Sequence, residues 1–178
     1  FDIVDGVQKS NGIYTNKAPL SVDNSVFKVS IPASGNASGN LNNGIFINAG
    51  VTGVNKVNNS TLEINGSQSN GILVKAVSLT TDSNTFKIYG SSNNGIQSTG
   101  ATTAIEDNHS SFSITGSNSN GVYADNGKVD LLGTTMTVNG TDSNGIIVKT
   151  GGIVNIKKDA NGNKPKFTVG GANSNGVY

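Results

Sequence analysis

The tetrapeptide Ser/Asn-Asn-Gly-Ile/Val recurs seven times along the chain, with its glycine at Gly12, Gly44, Gly71, Gly95, Gly121, Gly145 and Gly176. Repetition at this period marks a solenoid. Each unit is too small to bury its own apolar face, so it buries that face against its neighbours. The 178 residues therefore read as one stacked segment, 1–178, rather than as separate globular domains.

A second motif, apolar-x-apolar-x-Gly, sets the register. It begins at Leu62, Phe86, Phe112, Met136 and Phe167, each nine positions before the next repeat glycine, and Phe1 and Phe27 take the same part at longer spacings. The minimal unit is 24 residues, seen without insertion from Gly71 to Gly95 and from Gly121 to Gly145. Longer spacings are that unit plus local insertions. The two large ones fall at Ile31–Asn40 and Lys158–Pro165, and smaller ones near Thr52–Asn58 and Ala101–Asp107. The large insertions are rich in the Pro, Gly, Asn and Ser of surface turns.

Three short stretches in each unit alternate apolar and polar residues, as in Phe86-x-Ile88, Ile72-x-Val74 and Leu79-x-Thr81. Period two, carried by β-branched and aromatic residues, is a strand signal. Helical periodicity is missing, and Gly and Asn are too dense for long helices. Three strands per unit, stacked like on like, make an all-β parallel β-helix. Some six to seven rungs at roughly 4.8 Å each give a rod on the order of 30 Å long. Phe27, Leu62, Phe86, Phe112, Met136 and Phe167 should form one buried column, with Val29, Ile64, Ile88, Ile114, Val138 and Val169 as a second beside it.

Asn11, Asn43, Asn70, Asn94, Asn120, Asn144 and Asn175 precede the repeat glycines. Their reading is structural: Asn and Gly tolerate left-handed backbone at a sharp corner, and stacked amides can bond from rung to rung. The position two after each glycine reads Tyr14, Phe46, Leu73, Gln97, Tyr123, Ile147 and Tyr178. Its neighbours along the strand point inward, so it points outward. An apolar stripe of Tyr14, Phe46, Leu73, Tyr123, Ile147 and Tyr178 is then a candidate binding surface, with sheet stabilisation as the competing account.

Composition narrows the chemistry. There are 27 Asn and 24 Gly, and twelve Lys but no Arg. The net charge is +1 without a basic block, so nucleic acid is not an expected partner. No apolar run would insert into a membrane. Cysteine is absent, and repeat calcium motifs of the G-G-x-G-x-D type are missing. Neither a metal nor another cofactor is expected. Sugar-cleaving chemistry needs convergent carboxylates, and the nine Asp and two Glu are scattered. The tightest group, Glu106, Asp107 and His109, reads as a solvated turn in a small insertion. No catalytic residue is assigned.

The rung length, the absence of cysteine and the Gly, Asn, Ser and Thr richness make the whole chain resemble passenger domains of bacterial autotransporters and related secreted β-helix adhesins. That resemblance implies a right-handed parallel β-helix on the bacterial cell surface, outside the outer membrane, with a role in adhesion and virulence. A cell-surface protein or glycan receptor, or self-association, is then the expected partnership. Neither terminus shows a cap, so the chain is expected to be a segment of a longer solenoid. The rival expectation is a carbohydrate-active enzyme of the same fold, a polysaccharide lyase or hydrolase.

Overall fold

The computed structural model describes residues 1–4, 9–31 and 41–178. Among them, strands form three wholly parallel sheets of seven, seven and six members. Sheet I holds Asp2–Val4, Val26–Ile31, Thr61–Ile64, Thr85–Ile88, Ser111–Ile114, Thr135–Val138 and Lys166–Val169. Sheet II holds Asn11–Thr15, Asn43–Ile47, Asn70–Lys75, Asn94–Thr99, Asn120–Asp125, Asn144–Val148 and Asn175–Val177. Sheet III holds Ser21–Asp23, Lys56–Asn58, Ser78–Asp82, Ala104–Asn108, Lys128–Leu132 and Ile153–Lys157. The chain visits I, II and III in turn, so each rung lays one strand on each wall. This is the parallel β-helix that the 24-residue unit predicts.

The wall registers follow the sequence repeat. In sheet I, Phe27, Leu62, Phe86, Phe112, Met136 and Phe167 stand in line. Val29, Ile64, Ile88, Ile114, Val138 and Val169 form the adjacent line. Both columns point inward and are buried from Phe27 to Val138. Phe167 is only partly buried and Val169 is exposed, because among the described residues Lys166–Val169 is an edge strand of its sheet. The rings of Phe86 and Phe112 stack with centroids 4.4 Å apart and planes 2° from parallel. Sheets II and III complete the interior with Ile45, Ile72, Ile96, Val122 and Ile146 on one wall and Leu79, Ile105 and Val129 on the other.

The Asn-Gly pairs are not the left-handed corners that their composition suggests. None of the seven repeat glycines has a positive φ. The left-handed residue lies two positions before each Asn, at Lys9, Leu41, Gln68, Ser92, Asn118, Asp142 and Asn173. Glycine is required instead by a close approach. A Cβ on Gly44, Gly71, Gly95 or Gly121 would stand 2.7 Å from the carbonyl oxygen of the repeat glycine in the next rung. On Gly95 it would also meet the Phe112 ring at 2.9 Å. A second glycine column closes the sheet I motif. There a Cβ on Gly90, Gly116, Gly140 or Gly171 would overlap the glycine carbonyl of the preceding rung.

The seven asparagines begin the sheet II strands and form one continuous ladder. Each Nδ2 from Asn43 onward donates to Oδ1 of the asparagine in the preceding rung, over 2.8–3.1 Å. A second ladder runs just before it. There the backbone N–H groups of Ser69, Asn93, Ser119 and Ser143 donate to the side-chain oxygens of Asn93, Ser119, Ser143 and Ser174. Buried polar groups at the corner are thus paired along the rod axis, where no ladder within a single rung could reach them.

The Lys158–Pro165 insertion leaves the rod at the corner between sheets III and I. The other large insertion follows Val26–Ile31, and residues 32–40 lie outside the described residues. Truncating Phe86 to Ala is expected to cost about 3–5 kcal/mol, since the ring is fully packed between two rungs. Replacing Asn120 by Ala is expected to cost about 1–3 kcal/mol, because Asn144 loses its acceptor and Asn94 its donor. Urea unfolding of each variant against the parent measures both.

Candidate functional site

Tyr14, Phe46, Leu73, Gln97, Tyr123 and Ile147 are in register along the outer face of sheet II. Tyr178 extends the line, its N–H donating to Ile146 O and its carbonyl accepting from Val148 N. Only the ends are widely open, Tyr14 at 52% and Tyr178 at 71% exposure. The five central positions are half-buried, because each large side chain shields the next. The Tyr14 and Phe46 rings meet at 5.2 Å with planes inclined 60°. Asn48 Nδ2 donates to Tyr14 Oη at 3.0 Å and to Asn16 Oδ1 at 3.0 Å. The stripe is bordered by the asparagine ladder where the strands begin. Where they end it is bordered by Asn48, Lys75, Thr99, Asp125 and Lys149.

The outer face of sheet III is different in kind. A shallow groove of about 230 Å³ is lined by residues of three successive strands of the sheet, among them Ser78, Thr80, Ala104, Glu106, Lys128 and Asp130. Asp130 accepts from Asn155 Nδ2 at 2.6 Å, Lys128 Nζ at 3.0 Å and Lys157 Nζ at 3.2 Å. Burial alone would raise its pKa, but the bonds from Asn155, Lys128 and Lys157 outweigh that and hold it below the usual value. The groove's second carboxylate, Glu106, takes a hydrogen bond from Asn108 Nδ2 at 3.2 Å. The pair offers one carboxylate already committed to lysines, rather than an acid and a base poised across a gap.

Glu106, Asp107 and His109 do not share a solvated turn. Ala104–Asn108 is a strand, and the small insertion before it is the Gly100–Thr103 turn. Strand alternation sends Glu106 outward and Asp107 inward. Asp107 takes a core position between Thr81 and Leu131 and is fully buried. Thr81 Oγ1 donates to it at 2.5 Å and Thr134 Oγ1 at 2.7 Å. Burial pushes this carboxyl above its usual range, and the hydroxyls of Ser110, Thr134 and Thr81 oppose but do not cancel that. His109 occupies the next corner with φ 56°. Its ring lies between Asp82 and Asp159. Among the described residues no group of His, Cys, Asp and Glu converges as a metal site would.

The inward turn of Asp107 has a measurable consequence. A carboxyl with a raised folded pKa contributes stability that is complete below its unfolded value, near 3.8, and is lost as pH rises through the folded value. In a series of urea unfoldings from acid to neutral pH, the parent should lose stability relative to Asp107→Asn. A parent that gains stability over the variant as pH rises would reverse the assignment. The chain matches no protein-family model, no curated protein and no solved structure.

Proposed function

We propose that this chain is a segment of an extracellular β-solenoid adhesin or surface fibre of a bacterium, and that it works by contact through the outer face of sheet II. The observation that carries this reading is the stripe itself. Large apolar side chains stand in register along the rungs, interrupted at Gln97, where polar ones would serve solubility better. A receptor or a sister segment laid along the stripe would gain apolar burial at roughly 25 cal/mol per Å², before the costs of association. Tyrosine and phenylalanine also present faces on which a sugar ring can stack.

The state of the polar groups supports contact over chemistry. Asp130 is tied to Lys128 and Lys157, and Asp107 is sealed inside the wall. Neither is presented to a substrate. The repeat style, which resembles that of passenger domains of secreted adhesins, supports the setting on the cell surface.

Charging the stripe tests the reading. Phe46→Lys combined with Tyr123→Lys places two ammonium groups on the outer face without touching the interior. The double variant should keep the parent's β-sheet circular dichroism but lose adhesion to cells and self-association in sedimentation. If it adheres and associates like the parent, the stripe is sheet packing alone.

A further inference from the structure

Both ring nitrogens of His109 face carboxylate oxygens. Nδ1 lies 3.0 Å from Asp82 Oδ1, and Nε2 lies 2.8 Å from Asp159 Oδ2. A neutral imidazole carries one N–H and one lone pair, so it can donate to only one of these acids. Its other nitrogen would then set a lone pair against an anionic oxygen. Only the imidazolium donates to both. We infer that His109 is a protonation-dependent clamp that holds the 158–165 loop against the corner of the rod, complete when the ring is charged and half released when it is neutral.

The geometry of the corner is arranged for this reach. Asp82 ends a strand one rung before His109, and Asp159 belongs to the loop two rungs beyond it. The intervening corner position is Gly133, with φ 62°. A Cβ there would come within 3.0 Å of His109 Cδ2 and 3.3 Å of Asp159 Oδ2. The absence of that side chain is what lets the imidazole pass the intervening rung.

On the far side, the loop is organised around the same carboxylate. Asn163 N donates to Asp159 Oδ1 at 2.7 Å and Asn163 Nδ2 to Oδ2 at 2.6 Å. Asp159 N donates to Asn163 O at 3.0 Å. Asp159 is thus the hub of a closed turn, and its side chain is 2% exposed. Among the described side-chain hydrogen bonds, the one to His109 is what joins this hub to an earlier rung.

The surrounding charges favour the closed state. Asp82 and Asp159 face the ring from below and above, and Gly133 between them brings no charge. Asp107, on the strand leading into the corner, is turned inward to Thr81 and Thr134. Lys157, on the strand before the loop, is engaged by Asp130 at 3.2 Å. The hydrogen bonds to Asp82 and then Asp159 raise the His109 pKa above its ordinary 6.5 and outweigh the smaller effect of burial. Burial would raise the Asp159 pKa, but the bonds from Asn163 and His109 outweigh it, so this acid stays ionised. For a base whose folded pKa is raised, the contribution is complete below its unfolded value and fades as pH rises through the folded one. The clamp is therefore closed in mild acid and loosens on the alkaline side.

Two measurements on the intact chain decide the matter. An NMR titration of the His109 ring should place its midpoint above 6.5. Amide hydrogen exchange of residues 158–165, corrected for intrinsic rates, should quicken about tenfold as pH crosses that midpoint, the scale expected for one lost charge-assisted bond. In His109→Gln the loop should exchange at the faster rate at every pH. Glutamine tolerates the left-handed corner, as Gln68 does at φ 55°, but cannot donate to two acids through one imidazolium. A His109 midpoint at or below the ordinary value overturns the clamp. So does loop exchange that ignores the titration or is the same in parent and variant.

Discussion

This rod depends on a contact that no side chain would permit. The carbonyl oxygen of each repeat glycine occupies the space where the Cβ of the preceding repeat glycine would stand, 2.7 Å away over the central rungs. With glycine at each of these places, successive rungs settle at backbone contact and in one register. That register puts Phe over Phe on sheet I and Asn over Asn on sheet II. The aromatic column fills the volume directly behind the glycines, so the same absence of Cβ that lets the backbones meet also admits the Phe112 and Phe167 rings. Packing and hydrogen bonding are in this sense one constraint, expressed along the axis instead of around a globular centre.

A wall only one side chain thick must dispose of its polar groups along that axis. The two corner ladders pair each amide or hydroxyl with the next rung, which is why Asn93, Ser119 and Ser143 can be wholly buried. Burial of such groups is costly only when they are unpaired. Among the described residues, Ser98 Oγ and Asn58 Oδ1 lack a partner. Ser98 stands in a column that otherwise reads Thr15, Ile47, Val74, Ala124 and Val148. Two hydroxyls and a carboxylate, at Thr81, Ser98 and Asp107, interrupt inward columns that are otherwise largely aliphatic, so the middle rungs are the more polar part of this interior.

Much of this could be read from the chain because like residues stack on like. The Asn column repeats one residue type at each rung and the sheet I column a large apolar one, Phe in four of six places, so counting spacings amounts to aligning strands. The corners could not be read so. Backbone geometry there is shared by Lys9, Leu41, Gln68, Ser92, Asn118, Asp142 and Asn173, which have no composition in common, and the conspicuous Asn-Gly beside them drew the left-handed assignment to itself. The outward direction of the stripe followed from alternation. Its degree of exposure did not, since shielding depends on the size of the side chains above and below. His109 and Asp159 are 50 residues apart, and the second lies in an insertion that breaks the period. The signal that could have joined them was positional: Asp159 follows a sheet III strand as Asp82 ends one, so both fall at the same corner.

Charge is distributed unevenly over the three outer faces. On sheet I, Lys87 pairs with Glu63 of the preceding rung at 2.9 Å. On sheet III, Lys128 and Lys157 converge on Asp130. Of these, Lys87–Glu63 and Lys157–Asp130 cross from rung to rung while Lys128–Asp130 stays within one strand, and all are screened, exposed interactions of modest strength. Along its midline, sheet II instead presents large side chains, apolar but for Gln97, and the one polar contact described there is the bond from Asn48 to Tyr14 Oη. Water gains nothing from them, and a partner's apolar surface would. The face that contributes least to holding the rod together through charge is therefore the one with most to gain from being covered. The polar asparagine ladder beside it fixes the spacing at which any covering chain would meet successive rungs.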